Sequence, residues 1–224
     1  MILIGSTSDE SEFALAITMT QPASELPVPP PISPEQSLNP AQWGMASFLL
    51  SEVAFFGTLI VTYVAFMGKD VVGPTPAEAL SLPLVLISTI CLLSSSLVIH
   101  LAERSLNSGQ QRRFCLLMAG TIALGIAFLL GTAVEWRGLI HEHHLTISRN
   151  LFGTTYYTLV GFHGLHVTFG VVAMLIVLTL SLGREVTEQH HTGVQLVAWY
   201  WHFVDAVWIV VFLVVYVASR NGVA

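Results

Sequence analysis

Two short runs of this chain hold ionisable side chains three residues apart in an otherwise apolar setting. They are Gly161-Phe162-His163-Gly164-Leu165-His166 and Trp199-Tyr200-Trp201-His202-Phe203-Val204-Asp205. Glu52 stands alone in a third apolar run, and Glu135 with Trp136 closes a fourth. Imidazoles and carboxylates can bind one another, pass protons or hold metal ions. In hydrocarbon they cannot stay unpartnered: a charged group at the centre of a spanning helix costs from about 2.5 kcal/mol upward.

Three uses of these residues compete. Acids and histidines on facing helices can tie a bundle together, each interhelical hydrogen bond being worth about 0.6 kcal/mol on average. They can form a proton route or a docking surface for a redox partner, because intramembrane ionisable residues are functional by default. They can also ligate iron, since imidazole suits haem. The first use is preferred over the third, because His163 and His166 share one helix and no neighbours complete a tight ligand set. The denser group His141, Glu142, His143 and His144 falls in a polar loop. Interfacial polarity is the preferred reading there, with adventitious Zn²⁺ or Cu²⁺ binding second.

The elements that must carry these residues follow from composition. The chain has 224 residues, is 54% hydrophobic and only 10% charged, and has a mean hydropathy of +0.72. Soluble domains carry about 25% charged residues, so the chain belongs to the membrane class. Its net charge of -6 says little about the spans, because Asp9, Glu10, Glu12, Glu25 and Glu35 all precede residue 41. Cys91 and Cys115 lie inside apolar runs and read as small hydrophobes.

Residues 1–40 form a separate segment, rich in proline (Pro22, Pro27, Pro29, Pro30, Pro31, Pro34, Pro40), serine, threonine and acids, which reads as a disordered N-terminal tail. No basic residue precedes the apolar patch at Phe13–Met19, which argues against a secretory signal. The remainder, 41–224, reads as an all-α integral membrane bundle of five transmembrane helices. About 20 residues cross the hydrocarbon core, and spans are expected near 43–67, 82–103, 113–136, 154–181 and 194–218. Glycines and prolines at 68–76, a polar hairpin from Arg104 to Arg113, a loop from Arg137 to Asn150 and a link from Gly183 to Gly193 separate them. Arginines and lysine divide evenly between the two sides. The short hairpin holding Arg104, Arg112 and Arg113 favours a cytoplasmic N-terminus, because short loops dominate the positive-inside effect.

At 1.5 Å of rise per residue, Glu52, His166 and His202 are expected at one depth, roughly 12–14 Å from the same face. Asp205 follows His202 by one turn on the same helix face. Glu135 and Trp136 are expected near the opposite interface, where an acid is cheaper. Gly161, Gly164 and Gly170, with Gly120, Gly125 and Gly131, predict close approach of helices.

These residues also carry a resemblance. The run from Gly161 to Val167, His190-His191, and Ala198-Trp199-Tyr200-Trp201-His202-Phe203-Val204-Asp205-Ala206-Val207-Trp208 resemble subunit III of cytochrome c oxidase, a haem-copper terminal oxidase. Ser51-Glu52-Val53-Ala54-Phe55-Phe56, Glu135-Trp136 and Gly153-Thr154-Thr155-Tyr156-Tyr157 match it as well, and the likeness covers about residues 43–218. The resemblance implies a helical subunit without haem or copper of its own, packed on the catalytic subunit I near subunit II, holding phospholipids and helping to sustain proton uptake. Glu52 takes the position of the family's buried glutamate, and His163, His166, His202 and Asp205 fall on motif positions with a structural role. Long family members have seven spans; five resemble the short bacterial form of the plasma membrane. Lipid ligands on the missing helices do not carry over, which leaves Arg184 as a lipid-phosphate candidate.

Quinol oxidases carry a related five-span subunit, although Trp199-Tyr200-Trp201-His202 looks more like the cytochrome-oxidising branch. Readings of other classes are a stand-alone bis-histidine haem b electron carrier and a small transporter with a midplane proton relay. Transporters often show internal repeats and interrupted spans, and neither is visible in the sequence.

Overall fold

A computed structural model of the chain describes residues 39–69, 80–142, 144–148, 150–183 and 191–219. Residues 1–38 of the tail expected over 1–40, together with His143, Arg184 and the link to His190, lie outside the described residues, while Asn39 and Pro40 belong to the start of the first helix. Five long helices account for nearly all that is described: α1 Pro40–Phe66, α2 Leu82–Asn107, α3 Gln111–His141, α4 Leu151–Leu182 and α5 His191–Phe212, which continues as a π-helical segment over Leu213–Ala218. Each is long and apolar enough to cross a membrane.

The helix starts follow from local chemistry. Asn39 accepts hydrogen bonds from the Ala41 and Gln42 amides at 2.8 and 3.1 Å, while the Gln42 side chain accepts from the Asn39 amide at 2.9 Å. This reciprocal cap, followed by Pro40 in the first turn, opens α1. Pro83 occupies the first turn of α2, and the Asn150 side chain accepts from the Gly153 amide at 2.7 Å to open α4.

Short connections make sequential helices antiparallel neighbours: α2 packs on α3, α3 on α4 and α4 on α5. Helix α5 also packs against α2 and α1, which places it centrally, and α1 rests on α4 and α5. Helix α1 is the least enclosed, with only Phe56 and Tyr63 buried. The core is a continuous set of aromatic and aliphatic side chains, with Trp201, Trp208, Tyr156, Tyr216, Phe114 and Phe128 the largest that are fully enclosed.

Two expectations need correction. Helix α3 does not stop at Trp136: Arg137–His141 continue it, because Leu139 is buried on its inner face and makes another turn worth forming. Glu135 lies before this extra turn and is enclosed by the bundle, at 6% exposure. The glycines also divide unequally. A Cβ on Gly170 would stand 2.6 Å from the Trp201 ring and one on Gly125 would stand 2.8 Å from it, so these two glycines make room for that indole. Gly164 has nothing within 4 Å of such a Cβ among the described residues.

Candidate functional site

The polar groups inside the bundle fall into separate clusters at helix contacts. Where α1 crosses α4, His166 Nε2 lies 3.1 Å from Glu52 Oε2. His166 Nδ1 lies 2.7 Å from the Phe162 carbonyl. A carbonyl only accepts, so Nδ1 carries a hydrogen. The contact with Glu52 then holds one further proton, on the imidazole or on the carboxyl, and the pair stores it between two helices. Phe56 packs edge-on against the His166 ring at 4.9 Å, and the Tyr200 hydroxyl donates to the His166 carbonyl at 3.0 Å.

A second cluster runs along α2 and α5. Trp201 Nε1 donates to Ser95 Oγ at 2.9 Å, and Trp208 Nε1 donates to Thr89 Oγ1 at 3.0 Å. Ser96 Oγ and His202 Nδ1 are 2.7 Å apart, and His191 meets Asn107 at the helix ends. From Thr89–Trp208 through the Ser95–Trp201 and Ser96–His202 contacts to Asn107–His191 the two helices run in opposite directions, so these contacts form one antiparallel polar seam. Asp205 is 3% exposed beside it. Neither carboxyl oxygen makes a hydrogen bond in the described residues, and the polar group facing it is Ser96.

The third cluster closes the far end of the bundle. Glu135 Oε2 accepts from Tyr216 at 2.7 Å and from Tyr156 at 3.2 Å, with the two hydroxyls 3.1 Å apart. Tyr216 belongs to the π-helical segment, whose wider turn sets the phenol toward α3. Two donors to one carboxyl oxygen repay part of the cost of enclosing an acid that is 6% exposed. Its other oxygen, Oε1, has no partner among the described residues.

His163 stands apart from all three. It is fully buried, stacked on Trp208 at 4.7 Å and met edge-on by Phe128 at 5.7 Å, and neither ring nitrogen has a hydrogen-bond partner in the described residues. Among the described residues no three His, Cys, Asp or Glu side chains converge as metal ligands do. Cys91 and Cys115 are free thiols, each half-buried.

The structure thus brings Glu52 to His166 and sets His202 and Asp205 around Ser96, but it does not gather them all. His202 turns toward α2, whereas Glu52 and His166 meet at the α1–α4 contact. Glu135 forms a site of its own. The partners Ser95, Ser96, Thr89, Tyr156 and Tyr216 were given no role in the sequence reading. The run Ser94-Ser95-Ser96 inside an apolar span is the signal that could have found two of them.

Comparison with known proteins agrees with this architecture. The family model described as cytochrome c oxidase subunit III matches residues 37–220. Cytochrome c oxidase subunit 3 of Hippopotamus amphibius is 35% identical over 184 residues, covering 78% of this chain and 68% of that protein. The subunit of the same name from Alkalihalophilus pseudofirmus is 32% identical over 179 residues, covering 80% of this chain and 87% of that protein. Cytochrome bo(3) ubiquinol oxidase subunit 3 of Pseudomonas aeruginosa is 35% identical over 180 residues, covering 78% and 83% respectively. The five helices, their buried acids and histidines, and a match over most of the sequence all lead to one conclusion: the chain belongs to the cytochrome c oxidase subunit III family.

Proposed function

We propose that this chain is the non-catalytic third subunit of a haem-copper cytochrome c oxidase in a bacterial plasma membrane, with its N-terminus in the cytoplasm. It packs on the catalytic subunit I, in a complex that also contains subunit II, and steadies subunit I during electron transfer from cytochrome c to O₂. Haem and copper belong to those partners. Phospholipids fill its outer grooves, and its buried carboxyls support sustained proton uptake by the complex.

The observation that carries this reading is the Glu52–His166 pair. Glu52 Oε2 and His166 Nε2 join α1 to α4, and His166 Nδ1 is held by the Phe162 carbonyl of its own helix, so both ring nitrogens are engaged. An apolar exterior, with Leu50, Val53 and Val61 of α1 more than half exposed, suits a helix covered by lipid or by a larger membrane subunit. Purification in mild detergent tests the proposal: subunit I should accompany this chain, and haem bands should follow subunit I.

A quinol-oxidising complex is the second reading, favoured by the likeness to the Pseudomonas aeruginosa protein. Turnover of the purified complex with reduced cytochrome c, set against turnover with a quinol, separates the two.

A further inference from the structure

The polar residues of α2 do not stop at Ser96. Ser96, His100, Glu103 and Asn107 follow at steps of four, three and four residues, which puts all of them on one face of the helix. On α5, His191, His202 and Asp205 are spaced by eleven and three, so they share a face as well. Two contacts join the stripes: Ser96 Oγ lies 2.7 Å from His202 Nδ1, and Asn107 meets His191. His100 and Glu103 lie between these contacts, 4.0 Å from each other, with side chains 54% and 19% exposed. Neither bonds a neighbouring helix among the described residues, so holding α2 to α5 needs neither of them. A titratable pair on the flank of a spanning helix is costly without another use.

The stripe opens at one face of the membrane. Gln42 Nε2 donates to Gln195 Oε1 at 2.9 Å, so α1 and α5 begin at the same face, and the Asn107 end of α2 lies there too. From Asn107 to Ser96 the stripe spans roughly 16 Å at 1.5 Å per residue. Neighbouring Cβ atoms on such a stripe stand about 5–6 Å apart, a gap that one water bridges.

The inner end is Asp205, which is 3% exposed and has no hydrogen-bond partner for either carboxyl oxygen among the described residues. Ser96 faces it from α2, and His202 precedes it by one turn on α5. On α4, His163 stacks on Trp208, while His166 is engaged with Glu52 of α1. A bare carboxylate in this place would go uncompensated, so Asp205 needs either a proton or water. Beyond it the stripe is closed. Trp208 donates to Thr89 at 3.0 Å, stacks on His163 at 4.7 Å and is met edge-on by Phe128 at 4.7 Å, which leaves it fully enclosed.

We propose that the α2–α5 stripe is a one-ended proton well, in which protons from water at the face where α1 and α5 begin pass Glu103, His100 and His202 and are stored on Asp205. Imidazole accepts a proton at one ring nitrogen and releases one from the other, which suits His202 to the step before a carboxylate. Each group regains the proton it gives up from the one before it, and the store empties by the same route. Use of the well by an oxidase rests on the proposed function, whereas the route itself requires only the folded chain.

Infrared spectroscopy of the full chain, purified in mild detergent with whatever accompanies it, tests the well. Subtracting the Asp205→Asn spectrum from that of the parent isolates the carboxylic C=O band of Asp205, and the amide II band reports opening of the bundle as a whole. In D₂O the Asp205 band should shift to lower wavenumber well ahead of the helix amides. His202→Phe should delay that shift, and so should His100→Leu/Glu103→Leu, which dries the middle of the stripe at partly exposed positions and serves if His202→Phe does not fold. Amide exchange should be unchanged in both. Absence of an Asp205 band, a shift no earlier than that of the amides, or a shift as prompt in the variants as in the parent overturns the well. Equal slowing of the band and the amides overturns it as well, since that marks a stiffer bundle. A prompt shift in a chain that no oxidase subunit accompanies contradicts the proposed function alone, and a sealed Asp205 in a chain that subunit I accompanies contradicts the well alone.

Discussion

Glu52 on α1 and His166 on α4 meet through a single hydrogen bond of 3.1 Å, and the direction of the other ring nitrogen limits what that bond can be. Because Nδ1 donates to the Phe162 carbonyl, Nε2 either donates to a carboxylate or accepts from a protonated carboxyl. Glutamine at position 52 can still donate to a neutral Nε2, whereas alanine leaves that nitrogen without a partner. Glu52→Ala is expected to destabilise the assembled complex by roughly 1–3 kcal/mol, and Glu52→Gln by clearly less. Thermal denaturation measures both. The haem bands should be unchanged in each variant, while sustained turnover falls. An altered haem spectrum at normal subunit content contradicts this role.

Much of this was legible from residue types. Five apolar runs of spanning length gave five helices, and antiparallel order with a common rise placed Glu52 and His166 at one depth. The face to which a side chain turns was less legible. His202 turns to Ser96 on α2, because Trp201 and Trp208 already commit that side of α5 to Ser95 and Thr89. The charge at Glu135 marks the third span as ending at Trp136, because a charge marks the end of most spans. Buried Leu139 carries the helix past it, and a tyrosine from a π-helical turn reaches it. Nothing in the pattern of an apolar run announces the wider turn.

Ser96 Oγ on α2 lies 2.7 Å from His202 Nδ1 on α5, so removing its hydroxyl takes from that half-buried ring its partner on the neighbouring helix. Ser96→Ala is expected to cost roughly 1–3 kcal/mol of stability in the complex, and Ser96→Thr, which keeps the hydroxyl, less. Equal melting of Ser96→Ala and the parent contradicts a stabilising bond between Ser96 and His202.

The packing of Trp201 predicts a contrast between two glycines on one helix. Gly170→Ala forces a methyl against the indole at 2.6 Å, and such overpacking costs about 1–3 kcal/mol. Gly164→Ala meets nothing within this chain and replaces a poor helix former with the best one. Melting of the purified chain in detergent should rank Gly170→Ala below the parent and Gly164→Ala at or above it.

At Glu135 the two tyrosines are unequal donors. Tyr216 approaches Oε2 at 2.7 Å and Tyr156 at 3.2 Å. Tyr216→Phe should therefore destabilise the chain more than Tyr156→Phe, and the double variant by less than the sum, because the two hydroxyls also touch each other. Additive losses in a double-mutant cycle argue against a coupled triad.

The most direct measurement is to purify the chain with its partners in mild detergent, strip it from the complex, and record visible spectra of both fractions. A colourless stripped chain, with the whole Soret band retained by a remainder containing subunit I, is the predicted result. A Soret band travelling with the isolated chain, or purification of the chain with no oxidase subunit at all, contradicts it.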